Sequence, residues 1–373
     1  MKKNIPTLKS IATHLDLGIT TVSDILLREK TNYRKATIER VQKAAARMGF
    51  HPNGLAQSMR SGRTETIGLL ITMNIVDPFF AELVNRLEQR FEQEGFMVIL
   101  SISENNIEKD KRALRFFESR RVDGLVIGPV YNTQGTLDQS AHYQTSLSTV
   151  MLLASANTHA DSVSIDHSRM CRLAVEYFLG YGHTRVGYLM CPDHRRKNLR
   201  GTAYHGFREA LNERGLYREK WVWIDPNPVA ERAYAQMRDI LANTKLEALP
   251  TAFYCHNDYC AVGAMAAVHE AGYRIPEDFS FIGCDNIKSS PYTVPPLTTI
   301  DLKPIELADR TFEFLIDHMA HRNKPTRHLE IVPDLIERAS VTRPRRRSRL
   351  DSRAGLNEGF KATNIGFKTN GTG

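Results

Sequence analysis

Behind Thr7, a residue type that caps helices, Leu8, Ile11, Ala12 and Leu15 recur at the three-to-four spacing of one helix face, and Asp16-Leu17-Gly18 then breaks the pattern. The spacing predicts a first helix ending near Asp16. A second short helix is expected from Thr20 to Leu27, burying Val22, Ile25 and Leu26 and turning Thr20, Ser23 and Asp24 outward. A third, from Lys35 to Met48, sets Ile38, Val41, Ala45 and Met48 on one stripe and stops at Gly49. Two short helices joined by a tight turn and braced by a third form a helix-turn-helix, whose second helix fits the major groove of DNA.

From Thr66 the period changes. Short apolar runs alternate with amphipathic stretches: Ile67–Thr72, Met97–Ser101, Gly124–Ile127, Val150–Leu153, Val186–Met190, Trp221–Ile224, Ala252–Cys255 and Phe279–Gly283. Alternating strands and helices imply parallel sheets covered on both faces. Two such sets, divided near Ser164–Asp166, predict two doubly wound subdomains facing each other across a cleft. Ligands of such sheets bind beyond the carboxyl ends of the strands. Those ends carry Asp77 and Phe79 after the first run, Asn257-Asp258 after the Ala252 run and Asp285-Asn286 after the Phe279 run.

Charge supports the same division. Residues 1–64 hold 12 Lys or Arg against 4 Asp or Glu, residues 65–344 hold 31 against 36, and residues 345–373 hold 7 against 2. A basic head on a mildly acidic middle points to a polyanion partner for the head alone. The basic tail, rich in glycine and asparagine and without apolar periodicity, reads as disordered. No apolar run reaches the roughly 18–20 residues of a membrane span, and no signal-peptide segment precedes the first helix, so a cytoplasmic protein is expected. The five cysteines are scattered without a CxxC pair and read as reduced packing residues, with no zinc site. His318 and His321 lack a third ligand, so no metal is expected. The chain also has no GxSxG elbow, phosphate-binding GxxxxGK loop, HExxH pair or dinucleotide fingerprint, which argues against an enzyme and against a cofactor.

The strings TLKSIATHLDLGITTVSDIL and GFHPNGLAQSMRSGRTETIGLL resemble the head and hinge of the lactose-repressor (LacI/GalR) family of bacterial transcription regulators, and the resemblance continues to about residue 344. It implies a helix-turn-helix head over residues 1–52 and a hinge helix over 53–64. An effector-binding and dimerisation core over 65–344 follows, in two doubly wound parallel-sheet subdomains like those of periplasmic binding proteins, and then the tail over 345–373. The segment matching Asn53 to Arg60 is implied to form a short helix on DNA and to wedge an apolar residue into the minor groove. Asn53, Ala56 and Met59 are the matching positions, three apart on one helical face. The DNA-facing set on this reading is Thr7, Ile19, Thr20, Thr21, Ser23, Asp24 and Asn32 in the head, with Asn53, Ala56 and Met59 in the hinge.

Three residues depart from the family pattern. Asp24 stands where relatives often place a base-reading donor; it either accepts from cytosine N4 or adenine N6 or pairs with Arg28 one turn later. Gly18 and Arg34 stand where serine caps are usual, with Asn32 as a substitute for the second. These departures bear on the operator sequence more than on DNA binding itself.

The resemblance also covers IGLLITMNIVDPFFAELV, RVDGLVIGP, SIDHS, YGHTRVGYL, PTAFYCHNDYCAVGAM, DFSFIGCDN and PPLTTID. It implies effector contacts from Phe80 by packing and from Asp166, Asn257 and Asp285 by hydrogen bonds. Arg200 stands one turn before Ala203, where relatives commonly carry an effector-binding arginine, and Pro228 stands where many have a stacking aromatic. Carboxylates and amides beside an aromatic surface suit a polyol, so a sugar or sugar derivative is the expected effector. Each of these residues alone is as compatible with a cap or turn as with a ligand contact.

The whole reads as a homodimeric regulator, a repressor, that binds an approximately palindromic double-stranded operator under control of a small molecule. The tail lacks the leucine heptads that would make a tetramer. The alternative is a sugar-sensing binding protein whose head has lost specific operator recognition.

Overall fold

The computed structural model describes residues 6–27, 32–50, 62–72, 78–104, 106–128, 143–154, 159–191, 202–225, 227–321 and 324–345. In the head, α1 (Leu8–Leu15) starts at a reciprocal cap. The Thr7 hydroxyl accepts the Ser10 amide at 3.2 Å, and the Ser10 hydroxyl accepts the Thr7 amide at 2.8 Å. Asp16 ends the helix in the left-handed region, φ 54°. α2 (Ile19–Leu27) starts on the Gly18 carbonyl, which accepts the Val22 amide as the first bond of the helix; glycine has no side chain to add the cap that serine would. α3 (Lys35–Met48) starts at Arg34, whose side chain makes no cap bond; the Arg34 carbonyl accepts the Thr37 and Ile38 amides, and Asn32 is exposed. Ile11, Ala12, Val22, Ile25, Val41, Ala44 and Ala45 fill the space between the three helices.

The core holds two six-stranded sheets. The first has the order β11-β5-β4-β3-β1-β2 and is parallel throughout: β1 (Thr66–Ile71), β2 (Met97–Ile102), β3 (Gly124–Gly128), β4 (Ser148–Leu152), β5 (Asp161–Ile165) and β11 (His328–Ile331). The second has the order β12-β10-β9-β8-β6-β7: β6 (Val186–Cys191), β7 (Val222–Ile224), β8 (Ala252–Cys255), β9 (Ser280–Cys284), β10 (Thr298–Asp301) and an antiparallel edge, β12 (Asp334–Ile336). Helices α4 (Pro78–Gln93), α5 (Ile107–Arg120) and α10 (Pro304–Ala320) pack with the first sheet. Helices α6 (His167–Gly180), α7 (Ala203–Asn212), α8 (Ala230–Asn243) and α9 (Asp258–Glu270) pack with the second. One continuous apolar cluster runs from Ile67, Phe91 and Phe312 on the first sheet to Tyr188, Tyr254 and Ile282 on the second. All five cysteines are buried thiols. No described helix is long and apolar enough to cross a membrane.

The division expected near Ser164–Asp166 falls at the first passage between the subdomains, but the chain crosses between them three times. It passes from β5 through Asp166 into α6, from β10 through Lys303 into α10, and from β11 directly into β12. Four strands escape the apolar-run reading, and their composition explains it. β5 reads DSVSI and β10 reads TTID, so buried hydroxyls at Ser162, Ser164, Thr298 and Thr299 hide inside strands that hydrophobicity alone passes over. β11 and β12 are three- or four-residue edges. All three crossovers leave from carboxyl ends of parallel strands, and β12 starts opposite Asp301, the carboxyl end of β10. The carboxyl edges of the two sheets therefore face each other, and the amino edge of the first sheet, where residues 62–65 lead into β1, lies on the side away from the cleft.

Candidate functional site

On the head, Ile19 and Thr20 are exposed at the start of α2, with Ile19 at 49% exposure, while Thr21 and Ser23 are half-buried. Thr7 is exposed, though its hydroxyl serves as the cap of α1. Asp24 corrects the expectation of an outward carboxylate. It is 5% exposed, and its Oδ2 accepts the Tyr33 hydroxyl at 3.0 Å, tying α2 to the turn before α3. The expectation followed the helix face alone, and the lid over Asp24 comes from nine residues downstream. Arg28, its other expected partner, lies outside the described residues, as do Asn53, Ala56 and Met59, expected in the hinge, and Arg200 and Asp77, expected at the cleft.

At the facing carboxyl edges, three consecutive residue pairs end β5, β8 and β9: Asp166-His167, His256-Asn257 and Cys284-Asp285. Contacts bring them together. The Cys284 thiol meets the Met170 sulfur at 3.5 Å, and Met170 is one turn from Asp166, whose carbonyl accepts its amide. His256 feels the charge of His167, and its Nδ1 lies 3.4 Å from the Tyr188 hydroxyl. Burial, helped by that neighbouring histidine, pushes the His256 pKa down to about 4. The ring is thus neutral near pH 7 and offers one N–H and one acceptor nitrogen. Across the cleft, Glu82 of α4 reaches Lys288, three residues past Asp285, at 3.8 Å.

The expected contacts differ in what already holds them. Asp166 caps α6, with its Oδ1 accepting the Arg169 amide at 2.7 Å. Asn257 caps α9 through the Cys260 amide at 2.8 Å and donates to the Pro228 carbonyl at 3.3 Å; at 8% exposure, its first task is to seat the start of α8 against α9. Phe80 is 6% exposed and packs edge-on against Phe79, centroids 5.1 Å apart, so it belongs to the apolar cluster that floors this edge. Asp285 is half-buried at φ 100°, a conformation that side chains rarely adopt, and Asn286 follows at φ 52°. Two successive left-handed residues at a strand end are strain of the kind found where a site is pre-organised.

Sequence reasoning placed Asp258 among the polar residues that end the Ala252 run but missed that it holds this strained turn. Asp258, fully buried at the first position of α9, takes the Ile287 amide at 2.9 Å and the Ser290 hydroxyl at 2.5 Å on Oδ2, and the Thr299 hydroxyl at 2.5 Å on Oδ1. Gly283 is glycine for the same reason, since a β-carbon there would sit 2.0 Å from Asp258 Oδ1. Burial raises the Asp258 pKa to about 6 against the pull of its three donors. Asn286 extends the network: its Nδ2 donates to Asp301 at 3.2 Å and its Oδ1 accepts from Arg338 at 2.6 Å. The Asp285 turn is therefore joined to the crossover after β10, where Asp301 accepts the Lys303 amide. An acid at the start of a helix is an ordinary dipole complement, so nothing in the sequence pointed to this role.

Residues 175–341 match the model of the periplasmic binding protein-like domain family. The chain is 33% identical over 341 residues to the HTH-type transcriptional repressor PurR of Pasteurella multocida, covering 90% of this chain and 98% of that protein. The protein of the same name from Photorhabdus laumondii is 33% identical over 338 residues, covering 90% and 96%. Among solved structures, the lac repressor dimer bound to operator and the anti-inducer ONPF superposes with a TM-score of 0.78 at 24% identity, covering 91% of this chain and all of that one. The complex of the transcriptional regulator CelR with cellobiose gives a TM-score of 0.63 at 22% identity, covering 90% and 99%. These two structural matches carry the fold; the relatives of higher identity carry the kinship.

Proposed function

The chain belongs to the LacI/GalR family of transcriptional regulators, which are not enzymes, and from that premise we propose a homodimeric repressor that binds an approximately palindromic operator and releases it under control of a small molecule. The observation that carries the effector half is the meeting of Asp166-His167, His256-Asn257 and Cys284-Asp285 at the facing carboxyl edges, with strain stored at Asp285. Carboxylates and a neutral imidazole suit a ligand rich in hydroxyl or N–H donors, and the apolar floor at Phe79 and Phe80 suits its uncharged face. A sugar or sugar derivative fits that description. Asp166 and Asp285 are the hydrogen-bonding contacts, Phe80 and Asn257 support the floor and the rim, and Arg200 is the candidate cation from the sequence.

In the head, Ile19, Thr20, Thr21 and Ser23 face the major groove, and Thr7 and Asn32 lie near phosphates. With Asp24 buried and accepting from Tyr33, its carboxylate is turned inward from the exposed face of α2, which favours operator binding over the reading of a sensor without an operator. A second copy has a place to sit. Among the described residues β2 is an edge strand, paired only with β1 and carrying Met97 and Leu100 at 71% and 40% exposure beside Phe116 of α5, and Tyr292 and Val294 stand 83% and 79% exposed on the second subdomain. Closure of the cleft then bends the three crossovers and shifts the first subdomains against each other. The paired hinge segments at Asn53, Ala56 and Met59 separate, and a coupling of about 1–3 kcal/mol links the two ligands reciprocally.

Selection of duplexes from a randomised pool by the full-length protein, at moderate salt, tests the reading. A two-fold-symmetric site should emerge, and its release should then be screened against sugars. No enrichment by a folded dimer, with and without ligand, would overturn operator binding. Release by none of a broad sugar panel, but by another class of small molecule, would overturn the carbohydrate assignment.

A further inference from the structure

The joint by which the chain enters the core is made by one carboxylate. Residues 62–65 lead into β1 at the amino edge of the first sheet, with Gly62 at φ 70° and Glu65 at φ 52°. Asp123, just before β3, accepts the Glu65 amide on Oδ2 at 2.7 Å and receives the Thr64 amide between its two oxygens at 3.1 and 3.2 Å. The Thr64 hydroxyl donates to the Arg121 carbonyl at 3.0 Å, the Asp123 amide donates to the Thr66 carbonyl at 2.8 Å, and the Met97 amide closes the other side on the Glu65 carbonyl at 2.8 Å. Successive backbone amides aimed at one carboxylate form charge-assisted bonds, stronger than neutral ones. They hold a left-handed glutamate that an unanchored chain would leave for a commoner conformation.

Those bonds do more than the strand requires. β1 already lies between β2 and β3, in register with β2 from Thr66 and with β3 from Ile67 to Ile71, so beyond the one bond to the Glu65 carbonyl its pairing does not depend on the two residues before it. What Asp123 fixes is the direction in which the chain leaves the sheet toward the head. We propose that Asp123 is the positioning residue that sets the exit of the hinge, so that a displacement of the first subdomain reaches the DNA-binding segment without slack; this rests on the operator-binding function proposed above. In a dimer the two exits are then spaced by two rigid sheets. Loss of the clamp should lower operator affinity without touching the cleft or the head.

The test uses the full chain, with the duplex that the wild type enriches as the specific probe and a scrambled duplex of equal length as the non-specific one. Asp123→Ala should bind the specific probe about tenfold more weakly or worse, while affinity for the scrambled duplex, set by phosphate contacts of the head, stays within about twofold. Hydrogen exchange should quicken at the Thr64 and Glu65 amides and stay unchanged at Leu69 and Leu70 within β1. Asp123→Asn, isosteric but with an acceptor at one atom only, should fall between and serves if the alanine variant does not fold. Faster exchange at Thr64 and Glu65 with undiminished specific affinity would overturn the positioning role, as would an equal loss on both duplexes. A wild type that enriches no duplex would overturn operator binding itself and this inference with it.

Discussion

Asp123 and Asp258 perform the same local act at opposite edges of the core: each carboxylate gathers donors from a neighbouring length of chain and fixes its course. Their surroundings differ. Asp123 is half-buried at the amino edge of the first sheet, where water can replace its bonds, whereas Asp258 is sealed at the carboxyl edge of the second, where nothing can. The difference teaches that a buried carboxylate is a stability element first and a positioning element second, while a partly solvated one can be tuned for position at small cost to the fold.

Alanine substitution of both residues gives the largest expected contrast. Asp258→Ala strands the Ile287 amide and the Ser290 and Thr299 hydroxyls in the core and should destabilise the protein by about 3 kcal/mol or more; Asp123→Ala should cost about 1 kcal/mol. Denaturant melts of the two variants check this, and equal losses would break the comparison. Acid behaviour sharpens it. Because the folded pKa of Asp258 is raised from 3.8 to about 6, the folded state holds its proton more tightly than the unfolded chain between those values. Its contribution is therefore full below 3.8 and is lost as pH rises through about 6. Asp258→Asn should flatten the pH dependence of stability across that window, and a slope unchanged in the variant would assign it to another group.

Asp285→Gly is expected to stabilise the protein by about 1 kcal/mol, because glycine accepts φ 100° without strain, while it abolishes release of the operator by ligand. Thermal melts and operator titrations with the effector found by screening would read the two effects separately. A variant that is both less stable and still responsive would remove Asp285 from the site. The smallest effect is assigned to Tyr33→Phe, which loses one hydrogen bond to Asp24 and should weaken the head by about 1 kcal/mol or less with the selected operator sequence unchanged. A changed sequence preference would mean that Asp24 reads a base after all.

These contrasts also mark what was legible in the sequence. α1 and α3 could be placed within a residue because an apolar stripe, the cap at Thr7 and the stop at Gly49 all act locally. The alternation of strands and helices gave the two sheets for the same reason. β5 and β10 were hidden because their buried positions are hydroxyls whose partners, His328 and Asp258 among them, come from far along the chain. Asn257 and Asp285 were visible as polar residues after apolar runs, and Asp166 only through the family resemblance. What holds them in place was not: Asp258, though it ends the same run as Asn257, looks like any helix-starting acid, His256 shifts only because of burial and His167, and the turn of Asp24 toward the interior depends on Tyr33. What the sequence conceals is long-range satisfaction of polar groups, which local pattern does not encode.

The return of the chain to the first sheet in β11, and its immediate departure into β12, has a consequence for how the two lobes exist at all. No single cut separates them. A fragment ending after β5 would lack β11 and α10, and a fragment beginning at α6 would carry both of those without the sheet they complete. Neither lobe can be made, inherited or exchanged by itself. Heat should melt the core in one cooperative step, with calorimetric and van't Hoff enthalpies in agreement, even though it is built as two lobes.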